Sequence, residues 1–402
     1  WFDRTLWRQL AEANLLGVAL PTADGGGGFG MVELALLLEQ AGHAVSRVPL
    51  LATLVAGALP VAWYGSAAQR SSLLPGVIAG TTVLTAALVE PGPAGFDEVA
   101  TAATVDGGRW TLRGRKVCVP YADVARYIVT PVVTSAGPSL VLVDPAAAGV
   151  TLTAAPTTDG SPEFAVTLDN VVVSVEDVLP GAGAAALDRL RQHVVAADCA
   201  MAAGIAAGAL KLTAEYTSKR EQFGRPIAAF QAVTMQAADA YIDVEAMRAT
   251  ALRAAWLLSV DRPAAREVSI AKFWAGEGGH RVLSRAQHLH GGIGVDTEYP
   301  LYRYLLSSKR AELAYGSATW HLARLAAMQT VPEGKASASA PQDGTPDRTQ
   351  AEGKASASAP QDRKASASAP QDRKASASAP QDGTPDRTQA GTDQRNLEEL
   401  TT

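Results

Sequence analysis

Only two cysteines, Cys118 and Cys199, occur in 402 residues, and they stand far apart. With no CxxC or Cys/His spacing they frame neither a disulfide scaffold nor a zinc site, and no metal site is expected. Each is expected to be a small buried hydrophobe. Charge is also scarce: Asp, Glu, Lys and Arg make up 19% of the chain and the formal net charge is -5. A nucleic-acid binder presents a basic face, so that class is set aside. The opening Trp1-Phe2-Asp3-Arg4 lacks the basic and apolar regions of a secretion signal. Its missing Met is what an N-terminally trimmed chain shows. The apolar run 201–210 is too short to cross a bilayer. A soluble cytoplasmic protein with no membrane span is expected.

What the chain does have is hydrophobic mass, at 47%, enough for a large core and more than one domain. Over residues 1–80, Leu6, Leu10, Ala13 and Leu16 recur at helical spacing, and further helices are predicted at 31–44, 50–63 and 67–79. Between the first two lies Gly25-Gly26-Gly27-Gly28. A phosphate loop would need a following Lys-Ser/Thr and a preceding strand; a turn needs neither. From residue 81 short β-rich runs begin at Val83, Ala103, Arg109, Tyr127, Ser139 and Phe164, and Asp106-Gly107-Gly108 is a hairpin signal. From residue 184 long Ala-rich helices are predicted at 187–219, 227–260, 264–290 and 302–328. The expected fold class is therefore α+β: an N-terminal helical domain (1–80), a mostly antiparallel middle β domain (81–183) and a C-terminal helical bundle (184–332). After Pro332, Lys-Ala-Ser-Ala-Ser-Ala-Pro-Gln-Asp recurs from Lys335, Lys354, Lys364 and Lys374. These units carry no apolar face, so residues 333–402 are expected to be disordered.

Two stretches in the helical part carry chemistry. In Lys219-Arg220-Glu221-Gln222-Phe223-Gly224-Arg225-Pro226, a cation and an aromatic are held at a helix end beside a turn. In Gln287-His288-Leu289-His290-Gly291-Gly292-Ile293-Gly294, two glycines allow close backbone approach. Arg220 offers a planar fork suited to a phosphate oxygen pair. Together they form two halves of an anion-tolerant site. Against that stands a plainer account, in which Arg220 is a solvated helix-end charge and the glycines form an ordinary turn.

The run from Tyr216 to Gln231, with Arg220, Phe223, Gly224 and Gln231, resembles the C-terminal domain of the acyl-CoA dehydrogenase family. His290-Gly291-Gly292-Ile293-Gly294 followed by Glu298-Tyr299-Pro300 resembles that family's second signature, in the right order and at family-like spacing. The resemblance covers residues 1 to about 332 and implies α,β-dehydrogenation of an acyl-CoA. A carboxylate base takes the α-proton, FAD accepts the β-hydride, and an electron-transfer flavoprotein is the acceptor. It further implies that Arg220, Gln222, Phe223, Gln231, His288, Gly291 and Gly292 contact FAD bound by a neighbouring subunit. His288 stands where the family usually has Gln.

The positions that would serve the chain's own flavin depart from the family. Counting from Glu298-Tyr299-Pro300 puts Tyr315-Gly316-Ser317 on the Glu-Gly-Thr triplet that carries the base, and counting back from Arg220 puts Val194 on the alternative base position. Neither is a carboxylate. On the ring side, Val89 and Gly95 replace Thr and Ser, and Cys118 and Pro120 replace the Trp and second Thr of Trp-Ile-Thr. Pro120 also lacks a backbone N–H. This asymmetry resembles the non-catalytic chain of actinobacterial heteromeric acyl-CoA dehydrogenases, many acting on steroid-CoA substrates. That resemblance implies an α2β2 assembly with a catalytic partner chain. The alternatives are a complete homomeric dehydrogenase using Tyr315, His193 or Asp188 as base, with Asp198 a further nearby acid, and a cofactor-free structural homologue.

Loss of hydrophobic periodicity after Pro332 places the end of the folded unit there. Deleting residues 333–402 should leave melting temperature and oligomeric state unchanged. A marked fall in either would show that the tail packs on the body.

Overall fold

The computed structural model describes residues 2–92 and 95–329, so the expected disordered tail lies outside the described residues. Helix α1 (Arg4–Glu12) starts where the Asp3 carboxylate accepts from the backbone N–H groups of Thr5 and Leu6, at 3.1 and 2.9 Å. Helix α2 (Met31–His43) starts where the Glu33 carboxylate accepts from the Gly30 N–H at 2.9 Å. The glycine run between them is a turn folded back on the chain: Gly27 N–H donates to the Gly17 carbonyl at 2.8 Å and Phe29 N–H to Val18 at 3.0 Å. A Cβ on Gly26 would stand 2.2 Å from the Leu20 carbonyl oxygen. The glycines are thus there for backbone packing.

The helix predicted over 50–63 is present but not uniform. Leu51–Ala58 winds as a wide π-type segment, and α-helix resumes only in α3 (Leu59–Tyr64). Helix α4 (Ala67–Ile78) opens on a reciprocal cap between Ser66 and Gln69.

The middle sheet is mixed, though mostly antiparallel. Its strands are β1 (Leu84–Ala86), β2 (Ala102–Asp106), β3 (Arg109–Pro120), β4 (Tyr127–Thr134), β5 (Gly137–Val143), β6 (Val150–Ala155) and β7 (Glu163–Ser174). They lie in the order β1-β4-β2-β3-β7-β6, with β5 also on β4. Strand β4 pairs in parallel with β1 and at one position with β2, which the sequence did not anticipate. The Asp106–Arg109 hairpin is as expected, with Gly107 and Gly108 at φ 53° and 83°. Strand β6 was not expected: its pairing with β7 is long-range, and its Thr/Ala pattern is half exposed. Cys118 is exposed, correcting the expectation of burial, because it sits at φ 53° in the irregularity where β3 slips register against β7. Cys199 is buried as expected.

The C-terminal part is a bundle of α5 (Ala184–Lys219), α6 (Gln231–Ser259), α7 (Ala265–His290), α8 (Leu301–Leu313) and α9 (Ala318–Gln329). The single helix predicted over 302–328 is broken in two, because Tyr315 and Gly316 take left-handed φ values of 55° and 98°. Helix α5 extends well beyond the apolar run 201–210 and is long and apolar enough to cross a membrane. However, 83% of its most apolar window is buried inside the protein, as in a core helix. Among its buried residues are the carboxylate of Asp198 and, facing it from α7, Lys272, which pair at 2.7 Å. Lys272 Nζ also donates to the Ala311 carbonyl on α8, tying three helices together.

Helices α2 and α5 approach so closely that glycine is required on both. A Cβ on Gly42 would lie 2.1 Å from the Met201 carbonyl oxygen, and one on Gly204 would lie 1.9 Å from that of Glu39. Gly204→Ala should therefore destabilise the protein by about 1–3 kcal/mol, the usual cost of overpacking. Alanine's better helix propensity, worth up to about 1 kcal/mol, offsets only part of this. Chemical denaturation of the two proteins checks it, and equal stability would mean the crossing has slack.

Candidate functional site

The two helical signatures meet at one end of the bundle. The last turn of α5 carries Tyr216, whose ring stacks on His290 at the end of α7, with centroids 4.4 Å apart and planes 22° apart. His290 is fixed in turn: Nδ1 lies 2.7 Å from the Ala286 carbonyl, and Nε2 lies 3.0 Å from the Tyr299 hydroxyl. Beyond α5, Glu221–Gln222 (β8) pairs with Arg225–Pro226 (β9) in a two-residue hairpin. The tip is Phe223-Gly224, at φ 54° and 75°, the conformation such a turn needs at both central positions. The Arg225 guanidinium and the Phe223 ring both pack on Phe230, at 4.3 and 6.1 Å.

The candidate ligand groups on this surface face outward. Phe223 is 94% exposed, and Arg220, Gln222, Gln231, His288, Gly291 and Gly292 are exposed as well. Arg220 forms no ion pair among the described residues. Nothing lies within 4 Å of where a Cβ would stand on Gly224, Gly291 or Gly292. A free guanidinium beside open glycine backbone is a surface that an anionic group can approach closely.

The second candidate region lies between sheet and bundle. A cleft of about 450 Å³ is lined by Val89, Gly95, Phe96, Cys118, Glu163, Arg310, Leu313, Tyr315 and Trp320, among others. The structure thus brings together three of the four departures at the ring-holding positions with Tyr315. The fourth, Pro120, lines an adjoining cavity of about 90 Å³ with Asp198, Met201, Ile205, Leu306, Arg310 and Tyr315. Burial pushes the Tyr315 phenol up from its ordinary value, so it holds its proton more firmly. Glu90, beside Val89, is tied up structurally. It is buried, pairs with buried Lys116 at 2.5 Å, and accepts from the N–H groups of Ala100 and Thr101, each at 3.0 Å.

The domain family described as acyl-CoA dehydrogenase, N-terminal domain, matches residues 1–81, and that described as acyl-CoA dehydrogenase, C-terminal domain, matches residues 185–329. Acyl-CoA dehydrogenase FadE27 of Mycobacterium tuberculosis is 38% identical over 332 residues, covering 81% of this chain and 87% of that protein. The chain belongs to the acyl-CoA dehydrogenase family. Among solved structures it is similar to the Tcur3481–Tcur3483 steroid ACAD, at 44% identity and a TM-score of 0.76, over 82% of this chain and 89% of that one. It is also similar to the ChsE4–ChsE5 complex from Mycobacterium tuberculosis, at 36% identity and a TM-score of 0.78, over the same shares.

Within this acyl-CoA dehydrogenase fold, the other acid and base candidates are scattered. Val194 is fully buried in α5. His193 opens instead onto a separate cavity with Trp63, Arg189 and Asp261. Asp188 accepts from Gln192 Nε2 at 2.6 Å and lines a third cavity, of about 240 Å³. Asp198 is committed to Lys272. None of His193, Asp188 and Asp198 lines the cleft of Val89 and Cys118. Sequence reasoning missed Arg310 and Glu163, which do. They belong to neither signature, and only the fold brings them there.

Two of the three buried histidines among the described residues give this dehydrogenase fold a pH signature. Burial pushes both His193 and His321 down to about 4. An unfolded histidine titrates at about 6.5. Below that pH the unfolded chain therefore binds more protons, and stability falls as pH drops from about 6.5 toward 4. At pH 5 the loss is on the order of 2 kcal/mol per histidine, taking about 1.4 kcal/mol per pKa unit. Replacing His193 by Gln should flatten the stability difference between pH 7 and 5 by that amount, measured by urea unfolding. An unchanged difference would show that His193 is protonated in the folded state.

Proposed function

We propose that this chain is the cofactor-lending, non-catalytic subunit of a heteromeric, FAD-dependent acyl-CoA dehydrogenase. The carrying observation is the contrast between its two candidate regions. Arg220, Gly291 and Gly292 stand open and exposed at one end of the bundle. The chain's own cleft has Tyr315 where the family's carboxylate would stand, and Val89, Gly95 and Cys118 where ring-holding hydroxyl and indole groups would be.

Distance supports the same division. Asp198, which lines the small cavity with Tyr315, and Arg220 lie on one continuous helix and its cap, so about 33 Å separates them at 1.5 Å per residue. That exceeds the length of a dinucleotide cofactor. A flavin seated beside Tyr315 and Asp198 is out of reach of this chain's own Arg220, and the hairpin is free to serve a flavin held by another subunit. The residues suit that role, with a planar cation for the pyrophosphate, an exposed aromatic, and a glycine turn that admits close approach. The bound flavin supplies the redox step of the dehydrogenation, and this chain supplies hold and orientation. Exposed apolar side chains along α6, with Met235 at 60%, Tyr241 at 59% and Ile242 at 63%, offer a surface that wants a protein partner.

The relatives support the heteromeric form. Two similar solved structures are named as two-chain assemblies, one of them a steroid ACAD. We accordingly propose an α2β2 assembly in the cytoplasm, with the base on the partner chain, a bulky acyl-CoA such as a steroid side-chain thioester as substrate, and an electron-transfer flavoprotein as acceptor.

Arg220→Ala, made in this chain alone, should weaken FAD retention in the co-purified complex roughly ten- to hundred-fold. Charge-assisted bonds are worth about 1.5–3 kcal/mol each, and about 1.4 kcal/mol is one decade. Lys should rescue only partly, since it lacks the fork. Flavin fluorescence follows the release of FAD. Unchanged affinity would leave Arg220 a solvated helix-end cation and remove the central residue of this proposal.

A further inference from the structure

Arg310, on α8, lines both the cavity of about 90 Å³ and the cleft of about 450 Å³. Its guanidinium spans the boundary between them. On one side Nε donates to Asp159 Oδ2 at 3.1 Å, and Asp159 lines the small cavity. On the other a terminal nitrogen donates to Glu163 Oε1 at 3.4 Å, and Glu163 lines the cleft. The Asp159 carboxylate and the Glu163 backbone are held independently of the arginine. Asp159 Oδ1 accepts from the backbone N–H and the hydroxyl of Ser161, at 3.0 and 2.6 Å. Glu163 opens β7, paired between Pro120 and Ala155.

Apolar groups occur on either side of this bar, with Met201, Ile205 and Leu306 in the small cavity and Val89, Phe96, Leu313 and Trp320 in the cleft. An acyl chain would be favoured on both sides by burial of its methylenes. To run from one to the other it must displace a guanidinium, which leaves two largely buried carboxylates unpaired. Tyr315, which lines both spaces and packs on Phe96 at 5.2 Å, adds bulk at the same place.

We propose that the Asp159–Arg310–Glu163 bar closes this chain's own groove to long acyl chains, so that a chain lodged beside Met201 and Ile205 cannot extend into the cleft at Tyr315. The proposal rests on the reading that this cleft is idle, and it adds the device that keeps it so. Replacing the base alone would stop the chemistry but leave the groove able to sequester substrate. The bar stops entry as well.

The test uses the full chain and parinaric acid, a polyene fatty acid that accepts energy from tryptophan and fluoresces in apolar surroundings. The opened variant combines Arg310→Met with Asp159→Asn and Glu163→Gln, which removes all three charges together and keeps the shapes. Circular dichroism confirms its fold. The wild type should show no saturable binding with transfer from Trp320. The opened variant should bind at least ten-fold more tightly, with transfer that falls on Trp320→Phe by more than the loss of one of seven tryptophans alone would give. Arg310→Lys, which keeps a cation between the carboxylates, should stay closed. The proposal is overturned if the wild type binds as tightly as the opened variant with the same Trp320 signal, or if the folded variant gains no binding. Dehydrogenation by the mixed complex separates this from the functional reading. If opening the bar abolishes turnover while FAD and partner stay bound, the working site lies in this chain and the functional reading itself falls.

Discussion

Helix α5 has to be buried along most of its length, and that constraint arranges the rest of the structure. Its 36 residues are largely alanine and other small or apolar side chains, with Ala186, Leu190, Val194, Cys199, Ala206 and Ala209 all shielded from solvent. Small side chains stabilise little individually, so the gain must come from bringing backbones close and covering every face. Helices α2, α6, α7 and α8 all pack on it, and Gly42 and Gly204 remove the atoms that would keep α2 away. The one carboxylate deep in this surface, Asp198, is tolerated because Lys272 reaches it from α7.

A rod so covered also fixes how far apart its ends are. One end packs on β5, Asp198 near the middle lines the small cavity with Tyr315, and the other end carries the hairpin at Arg220. Rigid separation turns a question of sequence motifs into one of reach: residues at opposite ends cannot grip the same small molecule. A fold with a shorter or kinked central helix would not force that conclusion. Here the far end presents Phe223 and Arg220 to solvent, well away from the cavity at Tyr315.

Charge plays a positional part throughout. Lys116 is held by Glu90, Lys272 by Asp198, and Arg310 by Asp159 and Glu163. Buried pairs of this kind add little net stability over apolar packing, but breaking one is costly, so each pins the elements it joins. Glu90 fixes the loop before β2 to β3, and Lys272 fixes α7 to α5 and α8. Arg310 fixes α8 to the sheet, and by its place it also divides the space between them.

The sequence by itself determined the elements whose cause is local. Asp106-Gly107-Gly108 is a hairpin because two successive residues must take positive φ. The long helices follow from unbroken alanine-rich runs, and the alternation of helical and strand-like stretches follows from hydrophobic period. The two signatures around Arg220 and Gly291-Gly292 were equally legible, because their residues lie within a few positions of one another. Tertiary structure alone decided what depends on distant partners. Strand β6 exists through its pairing with β7, and the break at Tyr315 depends on a left-handed backbone that a tyrosine does not advertise. Arg310 meets Asp159 and Glu163 across 151 and 147 residues of chain. No local pattern encodes such an encounter, since it exists only once sheet and bundle have packed.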